Sequence, residues 1–193
     1  MTSLSGLLAA FGLSTASGLN AFIPLLTIGI VARFTDWITL GAPYDVLEHP
    51  ALLITIGVLL ALDLIGDKVP VVDHALHTVG VVVAPTAGAI AFLAANSSAG
   101  LVHPVVAVIC GVLAAGLAHG TRAAARPIVT ATTGGVGNPV ISLLENLAAL
   151  LLTILAFVAP VVAAVAVVLL LILAIVVFRR VRAIWRARAA AAQ

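Results

Sequence analysis

Charge-free length constrains this chain more than any other feature. No Asp, Glu, Lys or Arg precedes Arg33, and none falls between Glu145 and Arg179. Charged side chains gather between apolar runs, and about 20 apolar residues suffice for a helix to cross a bilayer. With 63% hydrophobic and 8% charged residues, a soluble 193-residue domain could not solvate its own surface, and the mean hydropathy of +1.30 agrees. Alternating polar and apolar segments, the mark of a β-barrel, are absent. The fold class that follows is all-α: a polytopic membrane helical bundle.

Runs and punctuation mark six expected spans, roughly 4–33, 50–66, 74–95, 101–119, 136–157 and 160–180, forming one bundle over residues 1–178. Residues 34–49, with Asp36, Trp37, Pro43, Tyr44, Asp45 and Glu48, read as a loop carrying interfacial aromatics. Lys68, Arg122, Arg126 and the tail cations Arg179, Arg180, Arg182, Arg186 and Arg188 fall on one side, leaving Arg33 across the membrane. The positive-inside rule then places both termini in the cytoplasm. No Lys or Arg precedes the first apolar stretch, so it reads as a mature helix rather than a cleaved signal. Residues 179–193 form a basic cytoplasmic tail with Trp185, suited to anchoring at anionic lipid. A net charge of +2 and a pI near 9.3 are therefore membrane features and imply no nucleic-acid partner. Cys110 stands alone, which excludes an internal disulfide.

Two asparagines head similar segments, Asn20-Ala-Phe-Ile-Pro-Leu-Leu26 and Asn138-Pro-Val-Ile-Ser-Leu-Leu144. Each follows a stretch rich in Gly, Ser or Thr, Ser14–Leu19 and Thr132–Gly137, where a helix break is expected. Corresponding broken helices point to a transport site at an internal repeat. Spans that simply cross make the repeat parallel, whereas re-entrant hairpins would permit an inverted one.

Ionisable groups in or near apolar sequence add candidates. Asp63 and Asp67 share a helix face, Lys68 follows, and after Pro70 come Asp73, His74 and His77. The alternative is a solvated turn, though Asp63 lies one turn deeper, where a lone carboxylate is costly. Glu145 sits within Leu-rich sequence, and Asn138, Ser142 and Glu145 at i, i+4, i+7 form one stripe. It reads either as a coupling carboxylate or as a structural hydrogen bond to a neighbouring helix. Arg122 and Arg126 also share a face, ahead of glycines and a helix start at Asn138-Pro139, an arrangement suited to an anion. The bland alternative is a short re-entrant loop with arginines at the lipid surface.

Enzymatic chemistry finds little support. His74 and His77 with Asp73 and Asp67 resemble a weak divalent-metal set, but no His-Glu-x-x-His, cysteine pair, Walker or Rossmann motif is present, so no metal and no cofactor is expected. No nucleophile signature surrounds Ser14, Thr15 or Ser17.

The blocks Ser17-Gly-Leu-Asn-Ala-Phe-Ile-Pro24, Asp63-x-x-x-Asp67-Lys-Val-Pro-x-x-Asp73-His74 and Gly137-Asn-Pro139 resemble an uncharacterised bacterial integral-membrane family, domain of unknown function 4126. The resemblance spans nearly the whole chain and implies a small polytopic membrane protein without assigning an activity. The functional expectation rests on the residues: a small transporter or flippase for an anionic small molecule or lipid head group, coupled to protons or cations. In it Asn20 and Asn138 are ligands, Asp63 and Glu145 coupling carboxylates, Arg122 and Arg126 anion guides, with Asp67, Lys68 and Asp73 nearby. The rival is a structural or accessory subunit whose polar residues cement helices. Membrane lipid is the expected partner, with a second copy as another, since Gly111 and Gly116 offer close packing.

Overall fold

The computed structural model describes residues 3–68, 70–100 and 102–191. Seven α-helices follow in order among them: α1 Ser3–Leu19, α2 Phe22–Phe34, α3 Pro50–Gly66, α4 Pro70–Ala99, α5 Pro104–Thr133, α6 Asn138–Val158 and α7 Pro160–Ala191. A short 3-10 turn, Tyr44–Glu48, lies before α3. The basic tail from Arg179 to Ala191 continues α7.

Prolines and histidines set several helix starts. His49 and His103 each accept a backbone N–H through Nδ1, from Ala51 and Val105 respectively at 3.3 Å, ahead of Pro50 and Pro104 in the first turn. Proline suits that position because its missing N–H would have had no partner there. Gly134, at φ 62°, takes the left-handed conformation that ends α5. Three helices are long and apolar enough to cross a membrane, Thr78–Ser97 within α4, Pro104–Thr133 and Asn138–Val158. Shorter apolar helices cover Leu4–Leu19, Phe22–Phe34, Pro50–Gly66 and Pro160–Ile172.

Contacts along α1 define the bundle. Phe11 meets Phe92 edge to face at 5.0 Å, Ser14 Oγ donates to the Gly88 carbonyl at 2.9 Å, and Gly18 lies against the Ala115 backbone. Thus α1 runs antiparallel to α4 and parallel to α5. Gly88 and Gly111 meet where α4 crosses α5, with the Ser14 carbonyl nearby; a side chain at Gly88 would overlap Ala115. Small residues bring helix backbones together in this way. Gly111 is thereby used within the chain.

The expected first span, 4–33, is instead a hairpin. Gly6, Ala9 and Leu13 of α1 line one cavity with Ile28 of α2 and Asp36 to Thr39 beyond it, so α2 returns toward the level at which α1 began. Gly29 packs on Leu47 and Leu53, while Asn20 reaches Asp63, which sets α3 antiparallel to α2. Gly41 donates to Ser97 Oγ, placing the 34–49 loop beside the end of α4. Gly12 faces Ala156 and Ala163, so α6 rises and α7 descends beside α1. Seven alternating helices leave the first and last on opposite ends of the bundle. The six expected spans had counted residues 4–33 as a single crossing.

The breaks also move. Ser14–Leu19 is helical throughout, with Thr15 and Ser17 donating their hydroxyls to the carbonyls of Phe11 and Leu13, and Ser14 to that of Gly88. The chain turns at Asn20–Ala21. The second expected break narrows to Gly134–Gly137, and α5 extends well past the expected end at 119, through Pro127, to Thr133.

Labelling should report the hairpin directly. In a Cys110→Ala background, Ser3→Cys and Asp45→Cys should react with an impermeant thiol reagent from one side of the membrane and Gly134→Cys from the other. Reaction of Ser3→Cys from the side that labels Gly134→Cys would refute the α1–α2 reversal. Packing is testable separately: Gly88→Val should cost about 1–3 kcal/mol through overpacking, seen as a lowered melting temperature.

Candidate functional site

Where α1 stops, its last carbonyls lose their helical partners, and the site is built on how they are replaced. Ile23 N–H, which would have bonded the Leu19 carbonyl in a continuous helix, bonds Asn20 Oδ1 at 3.2 Å instead, and Phe22 N–H bonds the same oxygen at 3.0 Å. Asn20 thus caps α2. The Leu19 carbonyl is taken by Arg122 Nη1 at 2.7 Å, a cation placed at the negative end of α1.

With Oδ1 committed to backbone N–H groups, the Asn20 amide can only point its nitrogen into the bundle. Nδ2 donates to Asp63 Oδ2 at 2.8 Å and to Asn146 Oδ1 at 2.9 Å. Asp67, one turn beyond Asp63 and 4% exposed, accepts from Ser142 Oγ, from Asn146 Nδ2 at 3.5 Å, and pairs with Arg122 Nη2 at 3.8 Å. Glu145 Oε2 receives Arg122 Nε at 2.6 Å and Arg126 Nη2 at 2.8 Å. Five helices therefore meet in one polar layer. Three carboxylates and two guanidiniums leave it with one formal negative charge in excess.

A cavity of about 70 Å³ adjoins this layer, walled by Ser17, Asn20, Asp63, Asp67, His119 and Arg122 among its polar groups. His119 comes from α5 and its imidazole lies against Gly80 of α4, where any side chain would collide with it. Glu145 is not part of the wall.

Of the residues singled out in sequence, Asn20, Asp63, Asp67, Arg122, Arg126 and Glu145 come together. Lys68 does not: its exposed ammonium bonds the Leu64 carbonyl at 3.1 Å. Asn138 does not either. It pairs with Thr130, Nδ2 to Oγ1 at 3.0 Å, and ties the start of α6 to the end of α5 about 10 Å below Glu145. The expected meeting of Asn20 with Asn138 is thus replaced by Asn20 with Asn146, and α6 begins at Asn138 with no side-chain cap. The side chains of Asp73, His74 and His77 lie outside the described residues; among the described ones no group of three could hold a metal.

Sequence reasoning missed Asn146 and passed over His119. A signal for Asn146 existed: Ser142, Asn146, Ala149 and Thr153 are all buried and follow i, i+4, i+7, i+11. That stripe is offset from the one drawn through Asn138 and Glu145.

This layer is built from the Asp63–Asp67 and Asn20–Pro24 blocks that carried the family resemblance. The chain belongs to the family described as Domain of unknown function (DUF4126), whose model matches residues 7–180. No curated protein and no solved structure matches it. The site must be read from its own geometry.

Glu145→Gln leaves two mostly buried guanidiniums short of a counter-charge and should cost about 3 kcal/mol or more. Asn138→Ala, outside the layer, should stay within roughly 0.5–1 kcal/mol of wild type. Melting temperatures of the purified variants check both, and equal losses would deny the separation.

Proposed function

We propose that the chain is a small polytopic membrane transporter, working at the layer where Asn20, Asp63 and Asp67 meet Arg122, with a proton or small cation as the transported species. The cavity at that layer carries this reading. Carboxyl, amide and imidazole groups wall a space within an apolar bundle, and ionisable groups so placed mark ion and solute pathways.

Charge argues about the cargo. Both guanidiniums are engaged by Glu145, and Arg122 also by Asp67 and the Leu19 carbonyl. A cation or proton would neutralise the layer's excess charge. An anionic solute or lipid head group would have to draw the arginines away from Glu145 first. Asp63 and Asp67 are accordingly the carboxylates that receive the cation or proton, while Glu145 positions Arg122 and Arg126. With cations concentrated on Lys68, α5 and the tail, the positive-inside rule orients α7 to end in the cytoplasm and places Ser3 and residues 34–49 outside.

A second reading, an accessory subunit whose polar residues cement helices, draws support from the doubly paired Glu145. Flux separates the two. Proteoliposomes holding a trapped pH dye should dissipate an imposed pH gradient faster than protein-free vesicles, with sodium added or omitted to distinguish proton from cation movement. Asp63→Asn keeps the acceptor for Asn20 yet cannot titrate, so it should slow that rate about tenfold or more per folded molecule. Wild-type vesicles no leakier than empty ones to protons or sodium would move the assignment to the accessory role.

A further inference from the structure

A second cavity, of about 200 Å³, opens at the other end of α1 and is lined by Gly6, Ala9, Leu13, Ile28, Asp36 and Trp37, among others. Gly6, Ala9 and Leu13 continue at helical steps into Ser17 and Asn20, which wall the cavity at the polar layer. One face of α1 therefore borders both spaces. Leu13 and Ser17 are four helical steps apart, about 6 Å along the axis. Leu13 and Ile28, each 1% exposed, stand there in one buried apolar cluster with Ala16, Leu25, Ala87 and Ala91. It carries no charged group. Each cavity has room for several waters, since roughly 10–15 Å³ of such space holds one.

We propose that the two cavities are the ends of a single solute path along α1, shut in this conformation by a hydrophobic gate formed by Leu13 and Ile28. Constrictions of this kind gate by excluding water, and the barrier depends on the apolar bulk across them. The solute is a small hydrated cation, an assignment that rests on the transporter reading; Asp36 stands at the wall of the loop-side cavity and Asp63 and Asp67 beyond the gate. Alanine at either gate position removes one of the large side chains that separate the two spaces and thins the partition.

Accessibility tests the path without needing transport. In Cys110→Ala protein in vesicles, a positively charged, membrane-impermeant thiosulfonate is added from the side of residues 34–49. Ala9→Cys should react promptly and Ser17→Cys slowly. Adding Leu13→Ala or Ile28→Ala should raise the Ser17→Cys rate by at least about tenfold while Ala9→Cys is unchanged. Should either alanine variant fail to fold, Ile28→Val, one methyl smaller, should give the same direction with a lesser rise. Unaltered Ser17→Cys rates in folded gate variants, beside a reactive Ala9→Cys, would overturn the gate. Raised labelling with no proton or sodium flux would instead retain the path and remove the transporter reading.

Discussion

The Asn20 side chain uses all four of its hydrogen-bonding sites, and the bundle depends on how. Its oxygen closes the first turn of α2; its nitrogen holds Asp63 on α3 and Asn146 on α6. Asparagine suits this place because an amide is both donor and acceptor, whereas Asp could cap α2 but would face Asp63 with a like charge. The reversal of α1 into α2 and the gathering of the carboxylates are therefore one event. A chain interruption deep in an apolar bundle survives only if neighbouring protein or water satisfies the freed backbone groups. Here Asn20 supplies the acceptor and Arg122 the donor.

Arg122 links that backbone event to the ion-pair layer. Its guanidinium reaches the Leu19 carbonyl, Glu145 and Asp67 from three different nitrogens, a geometry that a lysine ammonium could not reproduce. Arg126, one turn on, shares Glu145 and leaves Arg122 free to turn toward α1 and α3. Buried pairs of this kind add little net stability, yet losing one partner is expensive, so they specify arrangement more than they strengthen it. The layer consequently fixes α5 and α6 against α1 and α3 while leaving the cavity walled by Asp63, Asp67 and His119.

Much of this was legible in sequence. Apolar length and charge-free runs indicated an all-helical membrane bundle, and spacing picked Asp63, Asp67, Arg122, Arg126 and Glu145 because ionisable groups in such sequence are costly without partners. The hairpin was not legible: 30 apolar residues fit one tilted span as well as two short antiparallel helices, and the hydroxyls at Ser14, Thr15 and Ser17 looked like a break although they bond back to backbone carbonyls. Nor could the near-repeat reveal that its two asparagines lie at different depths. Asn20 and Asn138 stand in similar words, but Asn138 begins a helix near an exposed turn, whereas Asn20 lies at the level of Asn146, eight residues and about 12 Å further along α6.

The two hairpins turn at the same end of the bundle, α1–α2 at Asn20–Ala21 and α5–α6 at Gly134–Gly137, so any kinship between them would be parallel. Their depths differ in consequence. The α5–α6 turn projects past the polar layer, with Val136 81% exposed at its tip, while the α1–α2 turn ends within it. The short hairpin has a cavity at its apex, and residues of both its arms, Leu13 and Ile28 among them, line a second. Of the two, only the short hairpin has both its apex in the charged layer and its flanks at the apolar partition. Movement of α2 against α1 would therefore act on Ile28 and on the Asn20 hydrogen bonds together, through 13 residues of one helix. That coupling requires no longer pathway, because the same short helix carries the gate residue and receives the cap.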